Sequence, residues 1–195
     1  MSAAGKVLTG FSLPYVALYG HTGTTVTYTS GQKLARGVSV SIEPESGDEN
    51  NFYADNIAAE SSPGVFTNGT VTLTVDGLLQ AAERLIMGLP AVDTDGFAHY
   101  GDDMNIPYVG IGFICRYQSD GEVSYNPVIL RKCRFTSPGT DANTQEEEID
   151  WQTQELSAAI MRDDTAKHDW KYVGGELASE EAAEAKIKSV FNITT

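Results

Sequence analysis

Residues 36–56, RGVSVSIEPESGDENNFYADN, contain two contrasting halves. From residue 38 to residue 43 apolar and polar side chains alternate, which predicts a strand with one buried side and one solvent-facing side. The alternation then stops, and an acidic arm with a proline, a glycine and a Phe52–Tyr53 pair follows. A strand that leads into a long acidic arm with aromatic residues at its far end is unusual for a monomer. We interpret this stretch as an assembly device.

The composition is that of an acidic globular protein. The chain has 195 residues, 41% of them hydrophobic and 21% charged, which is enough for one substantial domain and argues against disorder. Asp and Glu number 27 against 13 Lys and Arg, a formal net charge of −14. Such a chain repels polyphosphate, which excludes the counterion-releasing mode of nucleic-acid binding that basic proteins use. It can still surround nucleic acid without binding it.

The sequence shows no targeting segment. Polar residues and Pro14 interrupt the apolar stretch near the first residue. No apolar run approaches the roughly 18–20 residues that a membrane-spanning helix needs. We therefore expect a protein that is cytosolic where it is made and has no membrane partner.

Cys115 and Cys133 are predicted to be free thiols. They lie in two strand-like runs joined by Asp120-Gly121, a strong signal for a two-residue hairpin turn. That turn places Cys115 roughly opposite Asn126 and leaves the two sulfurs more than ~20 Å apart along the ladder.

The order of the elements predicts a mainly β fold. The strand-like runs are 15–19, 26–29, 33–43, 69–75, 108–117 and 122–135, with a possible return strand at 51–59. The cleanest is GTVTLTV at 69–75, in which Val and Leu face inward and the threonines face out. A helix over about 77–87 should follow, with Asp76 as its N-cap and Gly88 and Pro90 ending it. Its apolar residues, Leu78, Leu79, Ala82, Leu85 and Ile86, suit a cover laid against a sheet.

The C-terminal part is less regular. Residues 149–162 fit either a strand or a helix, and the alternation of Leu156, Ala158 and Ile160 favours a strand. Residues 179–191 predict a helix, because glutamates lie at its start and lysines near its end, as the helix dipole favours.

The expected domain organisation has two parts. Residues 1–162 form the main domain, with the acidic arm at about 43–56, and residues 163–195 form a C-terminal extension that packs on the same domain. No internal repeat, low-complexity tract or linker divides the chain further.

No catalytic or metal-binding constellation is visible in the sequence. His21, His99 and His168 fall in three different loops, and none has a partner at ligand spacing. The run DTDG at 93–96 superficially matches a calcium loop, but it lacks the further acidic ligand and the terminal bidentate glutamate. The acids of the arm have no apolar surroundings that would raise a carboxyl pKa for acid–base catalysis. We expect no enzymatic activity, no metal and no cofactor.

A set of sequence runs occurs in a particular order between residues 6 and 162. They are PYVALY at 14–19, LARGVSVSIEPE at 34–45, NFYADN at 51–56, GTVTLTVD at 69–76, YVGIGF at 108–113 and PVILRK at 127–132. Taken together they resemble the major tail proteins, or tail tube proteins, of long-tailed, non-contractile bacteriophages. The order of the runs and the segment from 43 to 56 are the more specific parts of this resemblance.

The resemblance implies a β-sandwich or barrel-like tail tube fold with a flanking helix, assembled as hexameric rings that stack into a tube. In that family one sheet of each subunit joins its neighbours to line a lumen through which the genome leaves the capsid. A long loop after an early strand reaches the adjacent ring. The protein would then belong to the virion tail, be assembled in the host cytoplasm, and have copies of itself, a tape measure protein and tail-end proteins as partners.

The resemblance also suggests roles for individual residues. A lumen lined by carboxylates and hydroxyls repels phosphate, so that DNA passes without specific binding. The predicted inter-ring contacts are Glu43, Pro44, Phe52, Tyr53 and Asn56. The predicted lumen or ring-junction residues are Ser39, Ser41, Glu45, Asp48, Glu49, Asp55, Thr70, Thr72 and Thr74.

An acidic β-sandwich binding module is the alternative, for instance a tail decoration or fibre domain that binds carbohydrate or a host surface. Such modules display clustered exposed aromatic residues on a rigid face. The sequence shows no such cluster beyond Phe52 and Tyr53, and the order of the matching runs favours the tube protein.

Overall fold

A computed structural model describes residues 5–54, 57–62, 64–102, 104–140, 142–144 and 151–193, with the side chains of residues 50 and 52–59 excepted. Its strands are β1 (Val7–Thr22), β2 (Thr25–Lys33), β3 (Gly37–Ser46), β4 (Asn50–Ala54), β5 (Ile57–Ser62), β6 (Phe66–Val75), β7 (Val109–Ser119), β8 (Glu122–Phe135), β9 (Gln154–Met161) and β10 (Lys171–Val173). Its helices are α1 (Gln80–Met87) and α2 (Glu180–Val190). The fold is mainly β with one helix beside the sheet and one near the C-terminus, as the sequence predicts.

Most strands belong to one antiparallel sheet. Its order is β2-β1-β7-β8-β9-β6-β3, and β10 pairs with β8. Within the described part of the chain β4 and β5 pair only with each other and form a separate two-stranded hairpin. The part of the acidic arm that follows Ser46 is therefore an extension outside the main sheet.

The large sheet curls until β3 comes back to β1. Leu34 N donates to Pro14 O at 2.8 Å just before β3 begins. At the start of β3 the ring of Phe11 lies so close to Gly37 that an added Cβ would overlap with it. The curled sheet encloses a core with Leu73 and Phe113 fully buried at its centre, which makes the fold barrel-like.

The β7–β8 hairpin matches its prediction closely. Asp120 and Gly121 form the turn with φ of 50° and 87°, the positive values that a tight hairpin of this kind requires. Cys115 pairs with Asn126, as predicted. Both cysteines are free and buried, so the prediction of two free thiols is confirmed.

β1 is much longer than its predicted five residues. The register of its pairing with β7 shifts between Ser12 and Tyr15, and Leu13 has a positive φ of 50°. This bulge moves the apolar side chains off a simple two-residue period. The alternation rule therefore detects only part of the strand.

α1 begins later than predicted, at Gln80 rather than at about 77. Asp76 is not its N-cap, because its carboxylate accepts from Arg36 N at 2.9 Å and pairs with the Arg36 guanidinium. Gly77 has a φ of 141°, which no helix allows. The helix ends at Gly88 with a φ of 63°, as predicted.

The C-terminal part packs against the same sheet. Residues 154–161 form a strand, and α2 follows with Ser179 as its N-cap, accepting from Ala182 N at 3.2 Å. Ala183, Ile187 and Phe191 are buried against the outer side of β1, β7 and β8. This second core lies on the opposite side of the sheet from the first.

Candidate assembly surface

The solvent-facing side of β3, β6 and β9 forms a continuous polar ribbon, which we call the hydroxyl face. Paired residues of antiparallel strands point to the same side of a sheet. The rungs of the face are Ser39–Thr74–Glu155, Ser41–Thr72–Ser157 and Glu43–Thr70–Ala159. The structure thus brings together all the hydroxyl residues that the sequence assigned to a lumen.

The two sides of this ribbon differ in their exposure to solvent. Val71, Leu73 and Val75 are fully buried, whereas Thr70 is exposed and Thr72 and Thr74 are half-buried. Neighbouring strands are also bridged on the polar side, where Ser39 Oγ donates to Thr74 Oγ1 at 2.9 Å. In β6 the alternation read from the sequence is therefore the boundary between core and solvent, whereas in β3 Val38 is 54% exposed, because the register with β6 shifts between Gly37 and Ser39.

Two members of the face come from β9 and are absent from the predicted set. Glu155 and Ser157 alternate with the buried Leu156 and Ala158. The alternation predicted a strand at this position, but sequence alone could not show that this strand pairs with β6.

The face continues into the base of the acidic arm. Glu43 and Pro44 are exposed and pair with Thr70 and Gly69. Glu45, one residue further, accepts a hydrogen bond from Asn68 Nδ2 at 2.7 Å. β3 extends to Ser46, so these acids stand on a regular strand rather than in a loop.

The acidic arm itself is a β-hairpin. Gly47 N donates to Val65 O at 2.9 Å and closes its base. The exposed Asp48 and Glu49 precede β4, and Ser61 Oγ donates to Glu49. The return strand expected at 51–59 is divided between β4 and β5, which pair from Asn50–Ser62 to Ala54–Ile57.

Some predicted contact residues lie outside what the structure describes. Phe52 and Tyr53 belong to β4, and their backbones pair with Glu60 and Ala58. Their side chains are not among the described ones, and Asp55 and Asn56 lie outside the described residues.

Basic residues border the hydroxyl face on its β8 side. Arg134 pairs with Ala159 and is exposed. Lys132 Nζ lies 2.7 Å from Asp164 Oδ2, and this contact, with the Tyr19 hydroxyl, holds the pKa of the Asp164 carboxyl below its ordinary value. The face is thus acidic toward β3 and the arm and carries a positive charge toward β8.

The rest of the described chain contains no recognisable metal-binding site and no activated thiol. Among the described residues no three His, Cys, Asp or Glu side chains converge in a way that could hold a metal ion. Burial raises the pKa of both cysteine thiols, which disfavours the reactive thiolate. Neither described helix has the length and apolar character needed to cross a membrane.

No protein-family model matches the chain, and no curated protein matches it significantly.

Proposed function

We propose that this protein is the subunit of a phage tail tube, a structural virion protein that polymerises as stacked hexameric rings. The observation that supports this proposal is the hydroxyl face and the acidic hairpin into which it leads. The ribbon supplies a wall without side-chain cations on β3 and β6, and the hairpin supplies a projecting element for contact with another copy. A tape measure protein and tail-end proteins would be further partners.

The chemistry of the hydroxyl face suits a passage for DNA. Between residues 37 and 83 the sequence has eight acids and no Lys or Arg. Carboxylates repel phosphates within a Debye length of about 8 Å at physiological ionic strength, and the neutral Ser and Thr hydroxyls offer no strong attraction. Along β3 and β6 a sliding duplex therefore meets no basic side chain that would retain it, whereas Lys132 and Arg134 lie at the β8 border of the face.

The isolation of the acidic hairpin also supports assembly. An isolated two-stranded hairpin is marginally stable in water. β4 and β5 pair only with each other in the described structure, so contact with another copy would supply the packing that the hairpin lacks. Phe52 and Tyr53 in β4 are suitable residues for such a contact.

Electron microscopy of the purified protein in negative stain tests the proposal. We expect rings or long hollow rods, and we expect Phe52→Ala with Tyr53→Ala to shorten the rods or reduce their yield. A protein that stays monomeric at every concentration, and that binds a soluble polysaccharide, would contradict the proposal and support the carbohydrate-binding alternative.

A further inference from the structure

The acidic hairpin leaves the main sheet between two glycines. Gly47 follows the last residue of β3, and Gly64 lies just before β6. Their backbones meet, because an added Cβ at Gly64 would overlap with Gly47 O and Gly47 N donates to Val65 O at 2.9 Å. Glycine has the widest choice of backbone angles, so this pair forms a pivot. Contacts beside the pivot are needed to give the hairpin one direction.

An aromatic stack lies beside this pivot. The ring of Phe66, the first residue of β6, is 4.4 Å from the indole of Trp170 between centroids, and the two planes differ by 9°. Both side chains are half-buried and pack against the core that the sheet encloses. The Phe66 ring also folds back over Gly69, since Phe66 Cε2 lies 3.4 Å from the position of a Cβ on that glycine. The stack thus joins the end of the hairpin to the main core.

A bulge in β6 turns Phe66 toward Trp170. Glu45 pairs with Asn68 but Ser46 pairs with Phe66, so Thr67 is an extra residue in β6. By simple alternation Phe66 would share the solvent-facing side of β6 with Asn68. A bulge redirects the side chains beyond it and bends the strand. The ring of Phe66 therefore reaches the core side, where Trp170 lies.

Trp170 belongs to a segment that is anchored inside the protein. Residues 163–170, which we call the strap, lie between β9 and β10. Arg131 holds both ends of the strap, because its N donates to Trp170 O at 2.9 Å and its guanidinium pairs with the buried Asp163. Asp163 N also donates to Asp169 O at 3.0 Å. β8 therefore fixes the position of the Trp170 indole through a single residue.

We propose that the strap sets the direction in which the acidic hairpin leaves the sheet, with Trp170 as the positioning residue. A C-terminal segment far from the hairpin in sequence thereby controls it. Because coupling between two sites is reciprocal, a partner that fixes the hairpin also orders the strap. The proposal concerns a single copy of the chain and does not depend on the formation of a tube.

A distance between two spin labels measures the direction of the hairpin. Cysteines introduced at Glu49, at the start of the hairpin, and at Ser189, on the exposed side of α2, take the labels, whereas Cys115 and Cys133 are buried. We expect a narrow distance distribution in the otherwise unchanged protein. Trp170→Leu, which removes the stack, should broaden or shift the distribution. Trp170→Phe keeps an aromatic ring at the same place and should restore it.

Hydrogen exchange shows whether the effect is local. In Trp170→Leu the amides of β4 and β5 should exchange roughly twofold to tenfold faster, the range that the usual strength of an aromatic pair allows. The amides of β7 should keep their rates. Phe113→Leu removes a fully buried ring from the middle of the same core and is the control. It should affect the sheet without a selective effect on the hairpin.

Phe66→Leu gives a second, independent variant, because it removes the other half of the stack. It should reproduce the result of Trp170→Leu in both measurements. An unchanged distance distribution in these two variants would overturn the proposal. Equal acceleration of β4 and β5 in Trp170→Leu and Phe113→Leu would also overturn it, since Trp170 would then contribute only to general stability. Neither result bears on the tube proposal, which the presence of rings or rods decides.

Discussion

Arg131 and Asp163 form an ion pair inside the protein. Arg131 Nη2 lies 2.9 Å from Asp163 Oδ2, and the two side chains are 9% and 0% exposed. Asp163 Oδ1 also accepts from Thr165 N and Thr165 Oγ1, and Tyr28 Oη donates to Arg131 O. The pair therefore fastens the segment after β9 to the middle of β8.

Removing the acidic partner of this pair should be costly. Asp163→Ala leaves the Arg131 guanidinium buried without its counter-charge, and we expect a loss of about 3–5 kcal/mol in the free energy of unfolding. Glu176→Ala, which breaks the more exposed pair with Lys6, should cost less than about 1 kcal/mol. Urea denaturation of both variants measures the difference. Equal losses would show that the buried pair has no special role.

Two partly exposed carboxylates should make the protein sensitive to acid. Hydrogen bonds from Lys132 to Asp164 and from Lys188 to Glu184 lower the pKa of each carboxyl. The folded state then binds fewer protons than the unfolded state, whose carboxyls titrate near pH 4. This stabilisation is present above that pH and is lost as the pH falls through the lower, folded values.

The test is the free energy of unfolding between pH 6 and pH 3. We expect it to decrease toward low pH, and to decrease less steeply in Asp164→Asn with Glu184→Gln. The same slope in wild type and variant would assign the acid sensitivity to other groups.

At the scale of elements, the packing of α2 on β7 depends on the absence of side chains. A Cβ at Gly110 would lie 2.5 Å from Tyr28 Cε1 and 2.9 Å from Phe191 Cε1, and one at Gly112 would lie 2.7 Å from Ile187 Cγ2. The two glycines thus leave room for the aromatic and aliphatic side chains through which α2 packs against β7. The glycines of the run YVGIGF at 108–113 therefore permit the close packing of α2 on β7.

Gly110→Ala should weaken the packing of α2 against β7. Both nearby rings are rigid, so the added methyl group forces a shift that we expect to cost about 1–3 kcal/mol. Hydrogen exchange should report faster exchange at the amides of residues 184–190. Gly101→Ala, where an added Cβ meets nothing within 4 Å, is the control and should leave the exchange of α2 unchanged.

The elements differ in how well their sequences predict them. β6, the β7–β8 hairpin and α2 follow from local patterns because alternation, turn residues and charges placed to suit the helix dipole all act within a few residues. β1 and the start of α1 do not, because a bulge at Ser12–Tyr15 and the capture of Asp76 by Arg36 involve distant partners. The pattern of Gly69–Val75 also predicts which side of the hydroxyl face is polar, but the pairing with β9 adds Glu155 and Ser157.

At the scale of the whole molecule, a single new charge on the hydroxyl face should change how a tube interacts with DNA. Ser41→Lys places a cation on the middle rung of the face, and we expect assembled rods to retain DNA at low salt and release it as salt rises. Co-sedimentation of labelled DNA with rods measures this effect. Ser189→Lys puts the same charge on the exposed side of α2 and should retain little. Equal retention by both variants would place the hydroxyl face away from the DNA path.

The sequence by itself determined that the protein is an acidic, mainly β chain with an alternating strand, two free cysteines, two helices and an acidic arm. These features follow from local periodicity, turn chemistry and composition, which act over short stretches of chain. Only the tertiary structure decided that β3, β6 and β9 share one polar face and that the arm is a separate hairpin. Those relations depend on pairing between residues far apart in sequence, which no local pattern encodes.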